Sequence, residues 1–278
     1  MIWLVGLIGL LAGQQQQPHT RPGWPCVGRP DPSLVQVSEG SGGQVFLLDP
    51  SEVASSATLL MARNGHDETL RRIVGTLDPG TRTIDVNVDT SVERVLFSVS
   101  LQCLQEVEIV RPSGAPVAAS DPGVTWTAFQ AGRQVGVDTP ETGLWKVRLA
   151  GEGLLFLVVH ARASLALEGV RMVRAGGRPG HDGIFADTEP LIAGTQRLIE
   201  IRVSREFPGP QCEIRGSDDS RIGSLPPARQ APDGDEQVFL SEFRVPGVPF
   251  RVIVTGRDWV GRIVQRAQSS LFQLSQTR

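Results

Sequence analysis

The chain contains no tyrosine and one lysine, Lys146, among its 27 Lys and Arg residues, and only 5% of its residues are aromatic. Arginine stays charged and pairs bidentately with carboxylates, so a positive surface built almost wholly from it favours defined contacts over a diffuse cloud. With a formal net charge of −3 there is no basic footprint for nucleic acid. No apolar run reaches the roughly 20 residues needed to cross a bilayer as a helix. The three cysteines, Cys26, Cys103 and Cys212, are far apart, without C-x-x-C and without zinc-like spacing to the four histidines. Neither Asn64 nor Asn87 has Ser or Thr two residues on, so there is no N-glycosylation sequon. G-x-S-x-G, H-E-x-x-H, a Walker loop and G-x-G-x-x-G are also missing. The sequence is therefore read as non-enzymatic, with no catalytic, cofactor or metal residues.

What is present is an ordinary globular composition, 40% hydrophobic and 21% charged over 278 residues, enough for two modest domains. Residues 1–13 are apolar throughout and match the core of a secretory signal peptide, which predicts a secreted, extracellular protein. Residues 14–30, rich in Gln, Pro and Gly, read as a linker. In an oxidising compartment three cysteines leave one over. Cys103 lies in an alternating apolar run, where a buried free thiol is expected.

From Asp31 the pattern is helical. Asp31-Pro32 is an N-cap followed by proline at the first helical position, with a stop at Gly40 and Gly42-Gly43. Gln44 to Leu48 reads as a short buried strand. Asp49-Pro50-Ser51-Glu52 then opens a second helix with a capping box, which runs to Asn64-Gly65. One strand with two helices cannot satisfy its own edges. Residues 31–75 must therefore dock onto the strands C-terminal to them or lack the rest of their sheet, and the second is expected.

After Asp78-Pro79-Gly80 the period becomes two. Ile84, Val86 and Val88 alternate with polar residues, as do Val95, Phe97, Val99 and Leu101. The segments 107–110, 124–129, 135–137, 144–149 and 154–161 continue the series. The last two, separated by Gly151-Glu152-Gly153, read as strand, tight turn, strand. Strands at this spacing predict an antiparallel sandwich over residues 76–175. Ala175 to Gly180 is the expected linker. A second sandwich over 181–278 is predicted from segments 197–203, 212–215, 238–243, 250–255 and 263–272, the last two forming a hairpin.

Several motifs carry a family resemblance. Ser41 to Phe46 with Leu48-Asp49 resembles the last strand and helix of a von Willebrand factor A domain. Glu108 to Gly114, Val135 to Val137, Pro140 and Gly143-Leu144-Trp145 resemble the module after that domain in hemicentins. Val252 to Gly256, with Gln265-Arg266 and Ser269-Ser270, resembles the next segment along. The resemblance covers about residues 26–278. It implies a mainly β chain in which a short A-domain remnant precedes a galactose-binding-like sandwich and then an immunoglobulin-like one. It also implies an extracellular matrix or adhesion function. The D-x-S-x-S metal-adhesion motif of complete A domains occurs nowhere, so metal-dependent adhesion does not carry over.

A few side chains stand out as candidates for binding. Trp259, after Gly256-Arg257-Asp258, is placed at a hairpin tip and is the expected anchor for an extracellular or matrix protein partner. Trp126, beside the Asp121-Pro122-Gly123 turn, is a candidate for stacking on a glycan, against core packing as the plainer reading. Trp145 alternates with Val147 and Leu149 and is assigned to the core. His160 is read as a hydrogen-bonded sandwich histidine. His181-Asp182 with Asp187 and Glu189, and Asp233 to Glu236, are read as solvated loop charge and turn rather than cation ligands. The leading expectation is protein binding through sandwich loops. A carbohydrate-binding module is the alternative, and an accessory region of a secreted hydrolase a third.

Overall fold

The computed structural model describes residues 26–62, 68–178, 181–204, 206–226, 228–229 and 236–275. The apolar leader, the Asn64-Gly65 helix stop and the Asp233–Asp235 turn lie outside them. The chain is mainly β, with three antiparallel sheets. The first contains β1 (Glu68–Val88), β2 (Val92–Val110), β3 (Val124–Phe129), β4 (Gly132–Asp138) and β5 (Gly143–Ala163), in the order β1-β5-β2-β4-β3.

Strands β1, β2 and β5 are 21, 19 and 21 residues long, and each serves both layers of the first sandwich. The sheet coils over its own apolar face. Phe97 in the first half of β2 and Trp145 in the first half of β5 belong to opposite ends of the ladders, yet their ring centres lie 5.4 Å apart. Ile84, Val86, Ile109 and Val147 from one half close on Leu70, Ile73, Val99 and Leu157 from the other to make one core. The polar partners in the alternation, such as Asp85, fall on the outer face, as the period of two requires.

The bend runs through three register shifts, at Leu77/Gly80 in β1 and at Leu101/Cys103 and Leu104/Glu106 in β2. At Gly151 (φ +148°) a Cβ would stand 2.3 Å from the Cys103 carbonyl oxygen, so only glycine lets the layers cross there. The expected tight turn at 151–153 is thus a correction. β5 keeps the same two neighbours on both sides of these glycines and bends without reversing. Asp78-Pro79-Gly80 is likewise a bulge within β1 and not a boundary.

The second sandwich comprises β6 (Gly169–Arg178), β7 (His181–Ala186), β8 (Gln196–Ser204), β9 (Gln211–Arg215), β10 (Arg221–Leu225), β11 (Ala228–Arg229), β12 (Glu236–Arg244), β13 (Arg251–Arg257) and β14 (Ile263–Ala267). One sheet has the order β11-β12-β8-β6-β7 and the other β10-β9-β13-β14. Ile199, Ile201 and Phe239 from the first meet Ile214, Val252 and Val264 from the second. Residues 175–178, expected to be linker, are strand paired to β7, and β6 also pairs with β8 of the second sandwich. Glycines 176 and 177 weaken the strand signal there but leave the backbone free to form its ladder.

The N-terminal segment holds α1 (Pro32–Ser41), a 3₁₀ turn (Pro50–Ser55) and α2 (Ser56–Met61), with both proposed caps present. The Asp49 side chain and Glu52 form the capping box. Residues 44–48, expected as a strand, are irregular. They lie across the outer face of the first sheet, where Leu47 packs with Val74 and Phe156 and the Leu47 N–H donates to the Ser100 hydroxyl. A segment laid on a sheet face has no edge to pair with, and its apolar residues alone mimic a strand signal. The segment docks onto the sandwich, which corrects the expectation that the rest of its sheet is missing. Cys26 is bonded to Cys103, which corrects the expected free thiol. The buried free cysteine is Cys212.

Charge completes the assembly. Glu39 of α1 accepts from Arg72 of β1 (Nε–Oε1 2.7 Å) and from Arg251 of β13 (Nη2–Oε2 2.6 Å). Asp89, in the β1–β2 turn, pairs with Arg266 of β14 (2.7 Å). All five side chains are buried, so these pairs join the segment and both sandwiches at a buried junction. The Gln265 amide adds a bond to the Leu70 carbonyl oxygen (2.8 Å).

Candidate partner-binding hairpin

Strands β13 and β14 pair from Ile253↔Ala267 to Arg257↔Ile263, leaving residues 258–262 as the tip. The turn is built on Asp258, which is buried. Its Oδ1 accepts from the backbone N–H of Val260 (3.0 Å) and Arg262 (2.8 Å), and its Oδ2 from the Thr90 hydroxyl (3.1 Å). The Asp258 N–H donates to the Arg262 carbonyl, and the Gly261 N–H to the Asp258 carbonyl, each at 2.9 Å. The Arg257 guanidinium caps the Gly261 carbonyl (2.9 Å), and Gly261 takes the left-handed φ of +82° that closes the loop. An aspartate bonding the backbone two residues on is a turn device that needs no packing.

The consequence is a fixed loop carrying an indole that is 87% exposed, Trp259. Val260 and Ile263 are also exposed, and the Arg257 and Arg262 side chains flank them. Exposed aromatic area on a turn whose backbone is already ordered loses little conformational entropy on binding. Trp and Arg are the residue types enriched at the centres of protein interfaces.

The other candidates fall elsewhere. Trp126 is half-buried and packs against the first core, as its plainer reading had it. Trp145 is fully buried, its ring N–H donating to the Glu141 carbonyl (2.7 Å). His160 is buried with its Nδ1 3.4 Å from the Thr69 hydroxyl. Asp187 and Glu189 both pair with Arg197, so their charge is spent in an ion pair. Among the described residues no group of three or more His, Cys, Asp or Glu could hold a metal, and no helix is long and apolar enough to cross a membrane.

Sequence reasoning missed the buried arginines, Arg72, Arg251 and Arg266. Arg251 directly precedes Val252-Ile253-Val254, and a lone charge beside an apolar run is the signal that could have marked it. It also missed the Thr90–Asp258 contact, which ties the hairpin of the second sandwich to a turn of the first.

No family model matches the chain, and no curated protein matches it closely enough to name a relative. Among solved structures it is similar to the propeptide form of the Bacillus licheniformis lipase BlEst2, at 14% identity and a TM-score of 0.27. That match covers 70% of this chain and 43% of the lipase chain, and a score so low carries no argument about fold or activity.

Proposed function

We propose that this is a secreted, non-enzymatic protein of the extracellular matrix or adhesion type, which binds a protein partner through the Trp259 hairpin. The observation that carries the reading is the exposed indole on a turn ordered by its own hydrogen bonds. The disulfide supports an oxidising compartment. Strand order supports an immunoglobulin-like second module. The faces β11-β12-β8-β6 and β10-β9-β13-β14 follow the D-E-B-A and C′-C-F-G orders of such sandwiches, with β7 added at one edge. In that correspondence the β13–β14 tip is the loop between the last two strands, one of the loops that bind antigen in antibody variable domains. This is an analogy of position, and the partner is defined by chemistry: an apolar pocket for an indole, rimmed by acidic groups for Arg257 and Arg262.

The test is surface plasmon resonance of the secreted protein against purified matrix and cell-surface ectodomains. At least one should bind, and Trp259→Ala should weaken it by about tenfold or more, equivalent to roughly 1.4 kcal/mol. The melting temperature should stay unchanged. Binding indifferent to Trp259→Ala, or a large loss of stability in that variant, would overturn the assignment.

A further inference from the structure

The β1–β2 turn of the first sandwich and the Trp259 hairpin of the second are built alike and interlock. Each turn is nucleated by a buried aspartate that serves its own backbone with one oxygen and reaches the other sandwich with the second. Asp89 Oδ1 accepts from the Ser91 N–H (3.0 Å) and hydroxyl, and its Oδ2 from Arg266 Nη1 of β14 (2.7 Å). Arg266 Nη2 adds a longer bond to Asp89 Oδ1 (3.3 Å). Asp258 Oδ1 accepts from the Val260 and Arg262 N–H groups, and its Oδ2 from the Thr90 hydroxyl (3.1 Å). Residues 164–168, which connect β5 to β6, are pinned at the same place. The Ser164 N–H donates to the Ser91 carbonyl (3.1 Å), and Arg266 Nε donates to the Leu165 carbonyl (2.7 Å).

The two attachments sit at different heights on the hairpin. Arg266 stands opposite Val254, and Asp258 lies four residues further along β13, about 13 Å at ~3.3 Å per strand residue. A single contact would leave a two-stranded ribbon able to swing about it. Two contacts separated by this length fix its direction. Arg266 is fully buried and holds the base, whereas Thr90 is exposed and holds the tip at the surface. Both bonds end on a carboxylate, the stronger class of hydrogen bond. The loop's own bonds set its shape, but they do not set where it points from the molecule.

We propose that the β1–β2 turn is a positioning latch, with Thr90 as its bolt and Arg266 as its pivot, which sets the direction in which Trp259 is presented. Binding at the hairpin is thereby coupled to the junction between the sandwiches. Coupling to a partner rests on the protein-binding role of the hairpin, whereas the latch itself stands on geometry alone. A partner captures the orientation that the closed latch presents. Because such coupling is reciprocal, the bound partner holds the latch closed and tightens the first sandwich at a distance.

The test uses the full chain with Thr90→Val, which removes the hydroxyl and keeps the side-chain shape, and Thr90→Ser, which keeps the hydroxyl. Spin labels at Arg148→Cys on β5 and Arg262→Cys at the tip report the distance between the sandwich and the loop by double electron–electron resonance. Cys212 is buried and stays unlabelled. Without any partner, the distribution should be narrow with Thr90 or Thr90→Ser and about twice as broad with Thr90→Val, with little change in melting temperature. Amide exchange at Val260 and Arg262 should stay slow throughout, since those bonds belong to the loop itself. With a partner bound, exchange should slow in residues 88–92. Thr90→Val should weaken that binding about tenfold, and Thr90→Ser should restore it. Equal widths with Thr90 and Thr90→Val would overturn the latch, whether or not a partner is found. A broadened distribution at unaltered affinity would overturn the coupling. Absence of any partner would refute the coupling together with the hairpin's binding role, and the width measurement would still decide the latch.

Discussion

Glu39→Ala is the sharpest probe of how this molecule is held together. The carboxylate stands between Arg72 and Arg251, which belong to different sandwiches and are both buried. Burial pushes the Arg251 guanidinium down to about 10, with the Glu39 charge opposing that shift, so the site disfavours unpaired cations. Removing the carboxylate leaves two buried charges without it. Breaking a buried pair in this way costs about 3–5 kcal/mol, a large part of the roughly 5–15 kcal/mol that holds a typical fold. At about 2–4 °C per kcal/mol for a chain of this size, the melting temperature should fall by on the order of 10 °C. Calorimetry and urea denaturation measure it. Exchange should quicken in α1 and β13 together, because one carboxylate serves both. The triple replacement Glu39→Leu, Arg72→Met, Arg251→Met should recover most of the loss, since apolar side chains leave no charge to solvate. A Glu39→Ala variant within about 0.5 kcal/mol of wild type would refute the reasoning, for that is the scale of an ordinary surface substitution.

The other buried groups give outcomes of their own. Burial raises the pKa of Asp89, but the hydrogen bonds and charge of Arg266 and the Ser91 contacts outweigh it and hold the group below its ordinary 3.8. A carboxylate depressed on folding contributes stability above its unfolded value and loses it as the pH falls through the folded one. Urea midpoints should therefore drop below about pH 4, and Asp89→Asn should be weaker at neutral pH with a smaller acid-dependent drop. The Cys26–Cys103 bridge closes a 77-residue separation, so Cys26→Ser with Cys103→Ser should cost up to about 4.5 kcal/mol by chain entropy, read from denaturation midpoints. Cys212 is pushed up to about 12 by burial, so a thiol reagent near pH 8 should label nothing until the protein is denatured, and then one thiol.

Alternation made the β class and most strands legible, because Ile84-x-Val86-x-Val88 and its successors allow only one face to be buried. The caps at Asp31 and Asp49 were legible for a similar reason, since they act within a few residues. Long-range pairing was not. Nothing local distinguishes a Gly151-Glu152-Gly153 bend from a turn, because the same φ serves both and the outcome depends on which strands lie alongside. Cys103 read as core because its neighbours are core, while its partner came from a segment with no pattern of its own. The Trp259 hairpin was visible since most of its turn bonds run among the neighbours Arg257, Asp258, Gly261 and Arg262.

The disulfide also decides how tension would travel. Glu68 at the start of β1 pairs with Ala161 near the end of β5, so a pull on those two ends would peel one ladder bond at a time. With Cys26 bonded to Cys103, force arriving from the N-terminal side passes directly into the middle of β2 and skips the residues between. About 260 Å of chain, at ~3.4 Å per extended residue, is withdrawn from the path. Cys103 lies opposite Glu152, some ten residues along β5 from its end at Ala163. Pulling there drags β5 along its own axis and strains the ladder bonds in parallel. Stretching single molecules in optical tweezers should show high, abrupt rupture when oxidised and low, stepwise unzipping after reduction. A crosslink placed at the fold of the sheet thus converts a zipper into a shear joint.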